Sequence, residues 1–165
     1  MTSGVLIDTS FLITLADDGS KRVNHNAAVQ YWKYFKDSGM PIYLSVIVAS
    51  EFEVKQEISE KIRLACVPLV FNWEDALRAA RFERLREKEE GVERQAVKDD
   101  IKLLAQASVK GAAFVITDDH NTFAKYAKKL QGEGLLKSKL LVLRDGFDVG
   151  HFRKEGPDLL TNQGV

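Results

Sequence analysis

The sequence predicts a single α/β domain in which helices cover both faces of a mostly parallel sheet of about five strands. Short apolar runs alternate with amphipathic helical stretches from residue 4 to residue 143. The apolar runs lack a strict alternation of polar and apolar residues, which is typical of strands buried on both faces of a parallel sheet. The length of 165 residues favours one domain with a core of its own.

Five segments have the apolar character of strands, and their order along the chain sets the predicted sheet. They are residues 4–8, 41–45, 66–72, 112–117 and 139–143. Pro68 lies inside the third segment, and a proline cannot donate a hydrogen bond to a neighbouring strand. We therefore expect the third strand either to begin late or to lie at an edge of the sheet.

The segments between the strands have apolar residues at three- and four-residue spacing, as on one face of a helix. The predicted helices are residues 24–37, 46–63, 73–90, 95–110 and 121–131. The helix at 73–90 is highly charged, and a few of its side chains are expected to face the core. These are Trp73, Leu77, Ala80 and Leu85.

The end of the chain differs in composition from the rest. From Arg144 onward the sequence reads RDGFDVGHFRKEGPDLLTNQGV, which is rich in glycine and polar residues. Terminal segments of this kind are often poorly ordered. We therefore predict a domain at residues 1–143 and a C-terminal extension at residues 144–165 that is partly irregular.

Composition and charge exclude several classes of protein. The chain has 24 Lys and Arg against 24 Asp and Glu, so it lacks the strong positive charge of many nucleic-acid-binding domains. Cys66 is the only cysteine, which excludes an intramolecular disulfide. No segment approaches the ~20 apolar residues of a membrane span, and Asp8 interrupts the first apolar run early, unlike a signal peptide. We expect a cytoplasmic protein without a membrane partner.

Carboxylates follow the predicted strands or lie on the helices beside them. In open parallel sheets, ligands bind outside the carboxyl ends of the strands. The residues that this rule singles out are Asp8, Glu51, Asp99, Asp100, Thr117, Asp118 and Asp119. Clustered carboxylates repel one another unless cations compensate them, and such oxygen ligands suit Mg²⁺ or Mn²⁺. These ions activate water and clamp a phosphodiester, so an acidic cleft is compatible with a polyanionic substrate.

Helical spacing separates the two neighbouring acids Asp99 and Asp100. At about 100° per residue, Asp100 falls on the side of Val97, Leu104 and Ala107. Asp99 falls on the other side, which we expect to be solvated, with Gln106 and Lys110. We expect Asp100 at the edge of the core near the helix start, where the macrodipole stabilises a carboxylate by about 0.3–1 kcal/mol.

Each acid also has an ordinary structural interpretation when it is taken alone. Asp8 has the position of a helix cap, and Glu51 that of a solvated helix residue. Asp118 and Asp119 have the composition of a turn. The functional interpretation therefore depends on the whole set of acids, and on whether the fold brings them together.

Four segments, in order, resemble motifs of the PIN-domain nucleases, especially the VapC-like toxins of toxin–antitoxin systems. They are VLIDTSFLI, LSVIVASEF, KDDIKLLAQASVKG and FVITDDHNTF. The acids that correspond to the family motifs are Asp8, Glu51, Asp100 and Asp119. Asp118 is a substitute for Asp119, because the spacing to Phe123 is one residue longer than is usual in the family.

The resemblance implies a three-layer α/β/α fold and a ribonuclease that depends on Mg²⁺ or Mn²⁺. It implies that Asp8, Glu51, Asp100 and Asp119 hold the metal and orient the attacking water. It also implies supporting hydrogen bonds from Thr9, Ser10 or Thr117. Members of the family often form homodimers, and the toxins are neutralised by a small antitoxin protein.

Other functions are compatible with parts of the sequence. A catalytically silent PIN-like module would bind RNA or protein, and a nuclease without an antitoxin would act in RNA processing. A phosphotransfer enzyme with Asp8 as nucleophile is disfavoured, because no second Asp follows in an Asp-x-Asp pattern and no glycine-rich phosphate loop is present. The basic clusters on 73–90 and 121–131 are interpreted as solvated faces. The histidines His25, His120 and His151 lack the spacing of metal ligands.

Overall fold

The computed structural model describes residues 4–18, 21–90 and 95–153, and within them it contains one five-stranded parallel sheet. The strands are β1 (Val5–Ile7), β2 (Ile42–Ser45), β3 (Val67–Leu69), β4 (Phe114–Thr117) and β5 (Lys139–Val142). Their order across the sheet is β3-β2-β1-β4-β5, with every pair parallel. This confirms the predicted α/β class and the parallel sheet. Pro68 lies in β3, which is an edge strand, as the sequence predicted.

Helices connect the strands. They are α1 (Thr9–Leu15), α2 (His25–Asp37), α3 (Val46–Glu53), α4 (Glu60–Ala65), α5 (Trp73–Glu90), α6 (Gln95–Lys110) and α7 (Phe123–Gly132). From β1 to β3 the chain moves toward one edge of the sheet, and from β4 to β5 it moves toward the other. Because parallel crossovers are right-handed, these two directions place helices on opposite faces. No helix among the described residues is both long and apolar enough to cross a membrane.

The strand order reverses between β1 and β4, which lie side by side in the middle of the sheet. Such a reversal is a topological switch point, where the connecting helices leave a crevice at the carboxyl ends of the two strands. Val5, Leu6 and Ile7 in β1 are fully buried, so the strand that leads to Asp8 is held on both faces. The switch point therefore lies next to a rigid part of the core.

Three helix predictions were wrong. The sequence did not predict α1, because its apolar residues directly continue the apolar run of β1. The predicted helix at 46–63 is two helices, α3 and α4, separated by residues 54–59, and Ser59 caps the second one. Trp73 and Leu77 do not face the core, since they are 79% and 57% exposed.

The buried face of α5 is instead formed by Asp75, Ala79, Phe82 and Arg86. These residues are four, three and four positions apart, which also fits one face of a helix. Asp75 caps the helix start, since its carboxylate accepts the N–H of Asn72 at 2.9 Å. Packing against α6 selects this face over the one that the sequence favoured.

The beginning of the C-terminal extension packs on the domain. It contains two 3₁₀ turns, Leu143–Asp145 and Val149–Phe152. The Phe152 ring stacks on Tyr34 with 4.3 Å between ring centroids, and meets Phe114 edge-on at 4.9 Å. Residues 154–165 lie outside the described part of the chain, so the division at residue 143 stays a prediction.

Candidate active site at the carboxyl edge of the sheet

Asp8 lies at the carboxyl end of β1 and is 3% exposed. Its carboxylate caps α1 by accepting the N–H of Phe11 at 2.8 Å. The hydroxyl of Ser10 lies 2.8 and 3.0 Å from the two carboxylate oxygens, and the hydroxyl of Thr117 donates to one of them. The cap interpretation is thus correct for Asp8, and it coexists with a position at the switch point.

The hydrogen bonds to Asp8 are all from neutral groups. Burial raises the pKa of this carboxyl from 3.8 to about 7, although the bonds from Thr117, Phe11 and Ser10 act in the opposite direction. The charge of Asp119 makes a smaller contribution to this rise in pKa. Asp8 thus occupies a site where the ionised form is costly until a positive charge is supplied.

Asp100 lies in α6 and is half-buried, with no described residue donating a hydrogen bond to its carboxylate. Its pKa is raised from 3.8 to about 8, mainly by burial and also by the charges of Asp8, Asp119 and Glu51. The fold therefore brings Asp100 within electrostatic reach of the other three acids. α6 begins at Gln95, as predicted, so Asp100 is its sixth residue. The macrodipole acts most strongly within the first turn, so the expected stabilisation of Asp100 by the helix start was wrong.

Glu51 lies on the exposed rim of the same edge, near the end of α3. The hydroxyl of Thr9 donates to its carboxylate at 3.0 Å. Partial burial raises the pKa of Glu51, and the charge of Asp99 also raises it, whereas Lys102 lowers it. Asp99 lies beside this rim and forms an ion pair with Lys102 at 3.1 Å, so its charge is already compensated.

The two acids after β4 point in different directions. The Asp118 carboxylate accepts from the Thr14 hydroxyl at 2.5 Å and from the Asn24 side-chain amide at 2.7 Å, which ties it to α1 and to the start of α2. The Asp119 carboxylate accepts backbone N–H groups at the start of α7. These belong to Asn121, Thr122 and Phe123. Only Asp119 of this pair is among the charges that raise the pKa values of Asp8 and Asp100.

The supporting hydroxyl groups form one connected set. Ser10 Oγ and Thr117 Oγ1 lie 3.1 Å apart. The backbone N–H of Asp118 donates to Ser10 Oγ, and that of Asp119 donates to Thr117 Oγ1, both at 2.9 Å. These contacts join the end of β1 to the end of β4 and set the positions of both acidic segments.

Sequence reasoning missed several residues that position the site. Thr14 and Asn24, the partners of Asp118, were not singled out, because α1, which carries Thr14, was not predicted, and Asn24 directly precedes α2. Gln106 was expected on the solvated side of α6, but it is 2% exposed. Its side-chain oxygen accepts the Ser45 hydroxyl at 2.5 Å, which links α6 to the end of β2.

The donor set fits a hard divalent cation by its chemistry. All four predicted ligands offer carboxylate oxygens, which Mg²⁺ and Mn²⁺ prefer. None of the ion pairs between described residues includes Asp8, Asp100 or Asp119. In the described part of the chain, no three His, Cys, Asp or Glu side chains are already arranged around a common metal position. An ion would therefore have to draw these carboxylates together.

Comparison with known proteins finds similarity in structure only. No protein-family model matches the chain, and neither does any curated protein sequence. Among solved structures, VapBC2 from Rickettsia felis, bound to a DNA fragment from its promoter, has a TM-score of 0.59 at 11% identity. That match covers 83% of this chain and 98% of the other.

Two further solved structures agree with the first. The match to VapC20 from Mycobacterium tuberculosis, a Sarcin-Ricin loop cleaving toxin, has a TM-score of 0.53 at 17% identity and covers 74% of this chain and 95% of that one. FitAcB from Neisseria gonorrhoeae has a TM-score of 0.54 at 18% identity, with coverage of 85% and 98%. The chain therefore has the PIN-like fold of VapC-type toxins, as the resemblance of its motifs implied.

Proposed function

We propose that this protein is a metal-dependent endoribonuclease that hydrolyses RNA phosphodiester bonds, and that it is the toxin of a toxin–antitoxin pair. One observation carries the proposal. Asp8 and Asp100, 92 positions apart in sequence, lie at one edge of the sheet, where the charges of other acids raise the pKa values of both. Carboxyls with perturbed pKa values are typical of functional sites, a switch point is a usual place for a ligand, and clustered carboxylates suit a hard divalent cation.

The proposed metal ligands are Asp8, Glu51, Asp100 and Asp119, with Mg²⁺ or Mn²⁺ as the ion. A bound ion of this kind lowers the pKa of water and neutralises charge on the phosphate. The chain itself orients the acids: Ser10 and Thr117 hold Asp8, and Thr9 holds Glu51. Each carboxylate oxygen has two lone pairs, so Asp8 and Asp119 retain acceptor capacity beside their existing hydrogen bonds.

The structural neighbours support the substrate and the partner. VapC20 is described as a Sarcin-Ricin loop cleaving toxin. A toxin–antitoxin complex from Klebsiella pneumoniae matches with a TM-score of 0.50 at 22% identity, over 73% of this chain and 91% of that one. By the same analogy we propose a small antitoxin protein that covers the acidic edge, and a homodimeric, cytoplasmic protein.

RNA cleavage in the presence of Mn²⁺ tests the nuclease proposal. We expect Asp8→Asn and Asp100→Asn each to lose about 100-fold or more of the activity, because removing a metal ligand has effects at least as large as the 10–100-fold typical of its supporting residues. Asp99→Asn is the matched control, since it removes a neighbouring charge that is already paired with Lys102. Equal activity of the parent and the first two variants would refute the proposed site.

A catalytically silent PIN-like module is the second candidate, and the lack of a ready-made metal arrangement among the described residues favours it. Calorimetric titration with Mn²⁺ separates the two. The nuclease should bind the ion through a site that Asp8→Asn weakens. The silent module should give little heat, and the same weak heat in the variant.

A further inference from the structure

A pocket lies at the opposite edge of the sheet from the acids. It has a volume of about 460 Å³ and is bounded by α5, the end of α6 and the loop between α7 and β5. Its lining includes Ala113, which immediately precedes β4, and Ser138, which immediately precedes β5. The pocket is therefore at the amino ends of the strands. We call it the basic pocket, after its charged lining residues Arg78, Arg81 and Lys137.

No described residue that lines the basic pocket is acidic. Arg81 and Lys137 are exposed, and neither forms an ion pair with another described residue. Arg78 is half-buried and donates to the Ser108 hydroxyl at 2.7 Å, which holds its guanidinium against the wall. In a chain with equal numbers of positive and negative residues, this is a local excess of three positive charges.

The negative ends of helix dipoles would also explain why cationic side chains lie at this edge, but these dipoles do not cancel the excess positive charge of the basic pocket. The carboxyl-terminal ends of α6 and α7 both lie at this edge, since β4 and β5 follow them directly. Each end carries about −0.5 of an elementary charge, so the two together contribute about −1. Three side-chain charges then leave a net charge of about +2. An anion is thus attracted to the basic pocket.

We propose that the basic pocket binds a phosphate of the RNA backbone outside the acidic site, an inference that rests on the proposed RNA substrate. RNA carries one charge per nucleotide, and the four acids repel it everywhere except where a metal ion intervenes. Binding therefore needs cations elsewhere on the surface. Arginine suits this role because its guanidinium contacts phosphate oxygens through two parallel hydrogen bonds.

The dimensions of the sheet allow one RNA strand to reach both places. β4 has four residues, so its two ends are only about 13 Å apart. Stacked nucleotides follow one another at about 3.4 Å along a strand, so a strand of about 20 nucleotides extends for about 68 Å and is long enough to pass around the helices that cover the sheet. An acidic peptide has no comparable reason to extend from one edge to the other, which favours RNA as the occupant.

Salt-dependent RNA binding tests the proposal. The probe is a fluorescent single-stranded RNA of about 20 nucleotides, and the background is Asp8→Asn, which allows binding without cleavage. We expect the double variant Arg81→Ala/Lys137→Ala to bind several-fold more weakly. The slope of log K against log salt should become shallower by about 0.7, the value for one lost phosphate contact on a single strand.

Lys36→Ala/Lys61→Ala in the same background is the matched control. It removes the same charge from exposed positions on α2 and α4 and should leave the slope unchanged. An unchanged slope in the pocket variant, or an equal change in the control, would overturn the proposal. So would tight binding of poly-glutamate that depends on Arg81 and Lys137, because that outcome assigns the pocket to an acidic protein.

The proposed nuclease function and the basic pocket fail in different ways. Absence of RNA cleavage by the parent protein with Mn²⁺ counts against the nuclease, whereas a slope that depends on Arg81 and Lys137 still supports RNA binding in the pocket. Cleavage by the parent with equal slopes in all variants retains the nuclease and overturns the pocket.

Discussion

Asp8 shows how one residue serves both the fold and the site. Its carboxylate caps α1 and accepts hydroxyl hydrogen bonds from α1 and from β4. The donors of these bonds are uncharged, so they orient the carboxylate but supply no positive charge to stabilise its buried ionised form. Asp100 has no such donors among the described residues, and its pKa is raised even further. Both carboxylates are therefore positioned to bind a cation, and their ionisation in the absence of a cation lowers the stability of the fold.

That cost predicts a pH dependence of stability in a chelating buffer. The pKa values of Asp8 and Asp100 rise from 3.8 in the unfolded chain to about 7 and about 8 in the folded protein. Between these values the folded protein keeps protons that the unfolded chain has released. The contribution of these two carboxyls to stability is therefore fully present below about pH 4, is lost progressively as pH rises to about 8, and then levels off.

Thermal melts across this pH range measure the effect. Asp100→Asn cannot ionise at this position, so we expect a smaller fall and a higher melting temperature than the parent at alkaline pH. A parent protein whose melting temperature increases from acidic to alkaline pH in the chelator would contradict the assignment.

The pair Asp118 and Asp119 gives a second prediction at this scale. Asp119→Asn should reduce RNA cleavage by about 100-fold, because it removes a proposed metal ligand. Asp118→Asn should keep cleavage within a few-fold but lower the free energy of unfolding by about 1–3 kcal/mol, since Thr14 or Asn24 then loses a charged acceptor. Cleavage assays and urea titrations of both variants decide the question, and the opposite ranking in cleavage would make Asp118 the ligand.

At the scale of elements, short segments set the geometry of the site. α1 is seven residues long, yet it carries Thr9, Ser10 and Thr14, which contact Glu51, Asp8 and Asp118 respectively. The turn Val149–Phe152 acts in a similar way on the other side of α2, where its aromatic ring packs on Tyr34. α2 is therefore held between α1 and the start of the C-terminal extension.

Removing the Phe152 ring tests the contribution of the extension. Fully buried Phe→Ala changes cost about 3–5 kcal/mol, and Phe152 is half-buried, so we expect Phe152→Ala to lower the free energy of unfolding by about 2 kcal/mol. Val149→Ala, in the same turn but 42% exposed, is the control and should cost much less. Urea unfolding measures both. Equal small effects would show that the extension does not stabilise the domain.

At the scale of the whole molecule, the strand order separates two edges of opposite charge. The carboxyl edge holds the acids, because β1 and β4 are neighbours at the switch point. The amino edge holds the basic pocket, because α6 and α7 both end there. Although the net charge of the chain is zero, one edge of the sheet is therefore acidic and the other is basic.

Divalent cations should stabilise the whole protein if the acidic edge binds them. At a Mn²⁺ concentration 100 times the dissociation constant, the gain is about 2.7 kcal/mol, which corresponds to roughly 5–10 °C in melting temperature for a domain of this size. We expect a larger shift at alkaline than at acidic pH, because the ion competes with protons on Asp8 and Asp100. An equal increase in the melting temperature of the Asp8→Asn/Asp100→Asn variant would show that the ion binds elsewhere on the protein.

Local patterns in the sequence determined the fold class, the five strands and the list of candidate acids, and they limited β3 to a late start or an edge position. These follow from side-chain periodicity and from proline chemistry, which act over a few residues. The four motifs also implied the PIN-like fold, which the solved toxin structures confirm. Helical spacing also predicted a core side for Asp100 and a solvated side for Asp99, but Gln106, which was predicted on the solvated side, is buried.

The tertiary structure alone decided how these parts meet. It showed that residues 9–15 form α1, that α5 buries Phe82 rather than Leu77, and that Gln106 lies inside. It also directed Asp118 toward Thr14. Each outcome depends on a partner distant in sequence, and a short amphipathic pattern fits more than one face until that partner is in place. The charge that raises the pKa of Asp100 comes from such partners too, so no local pattern contains it.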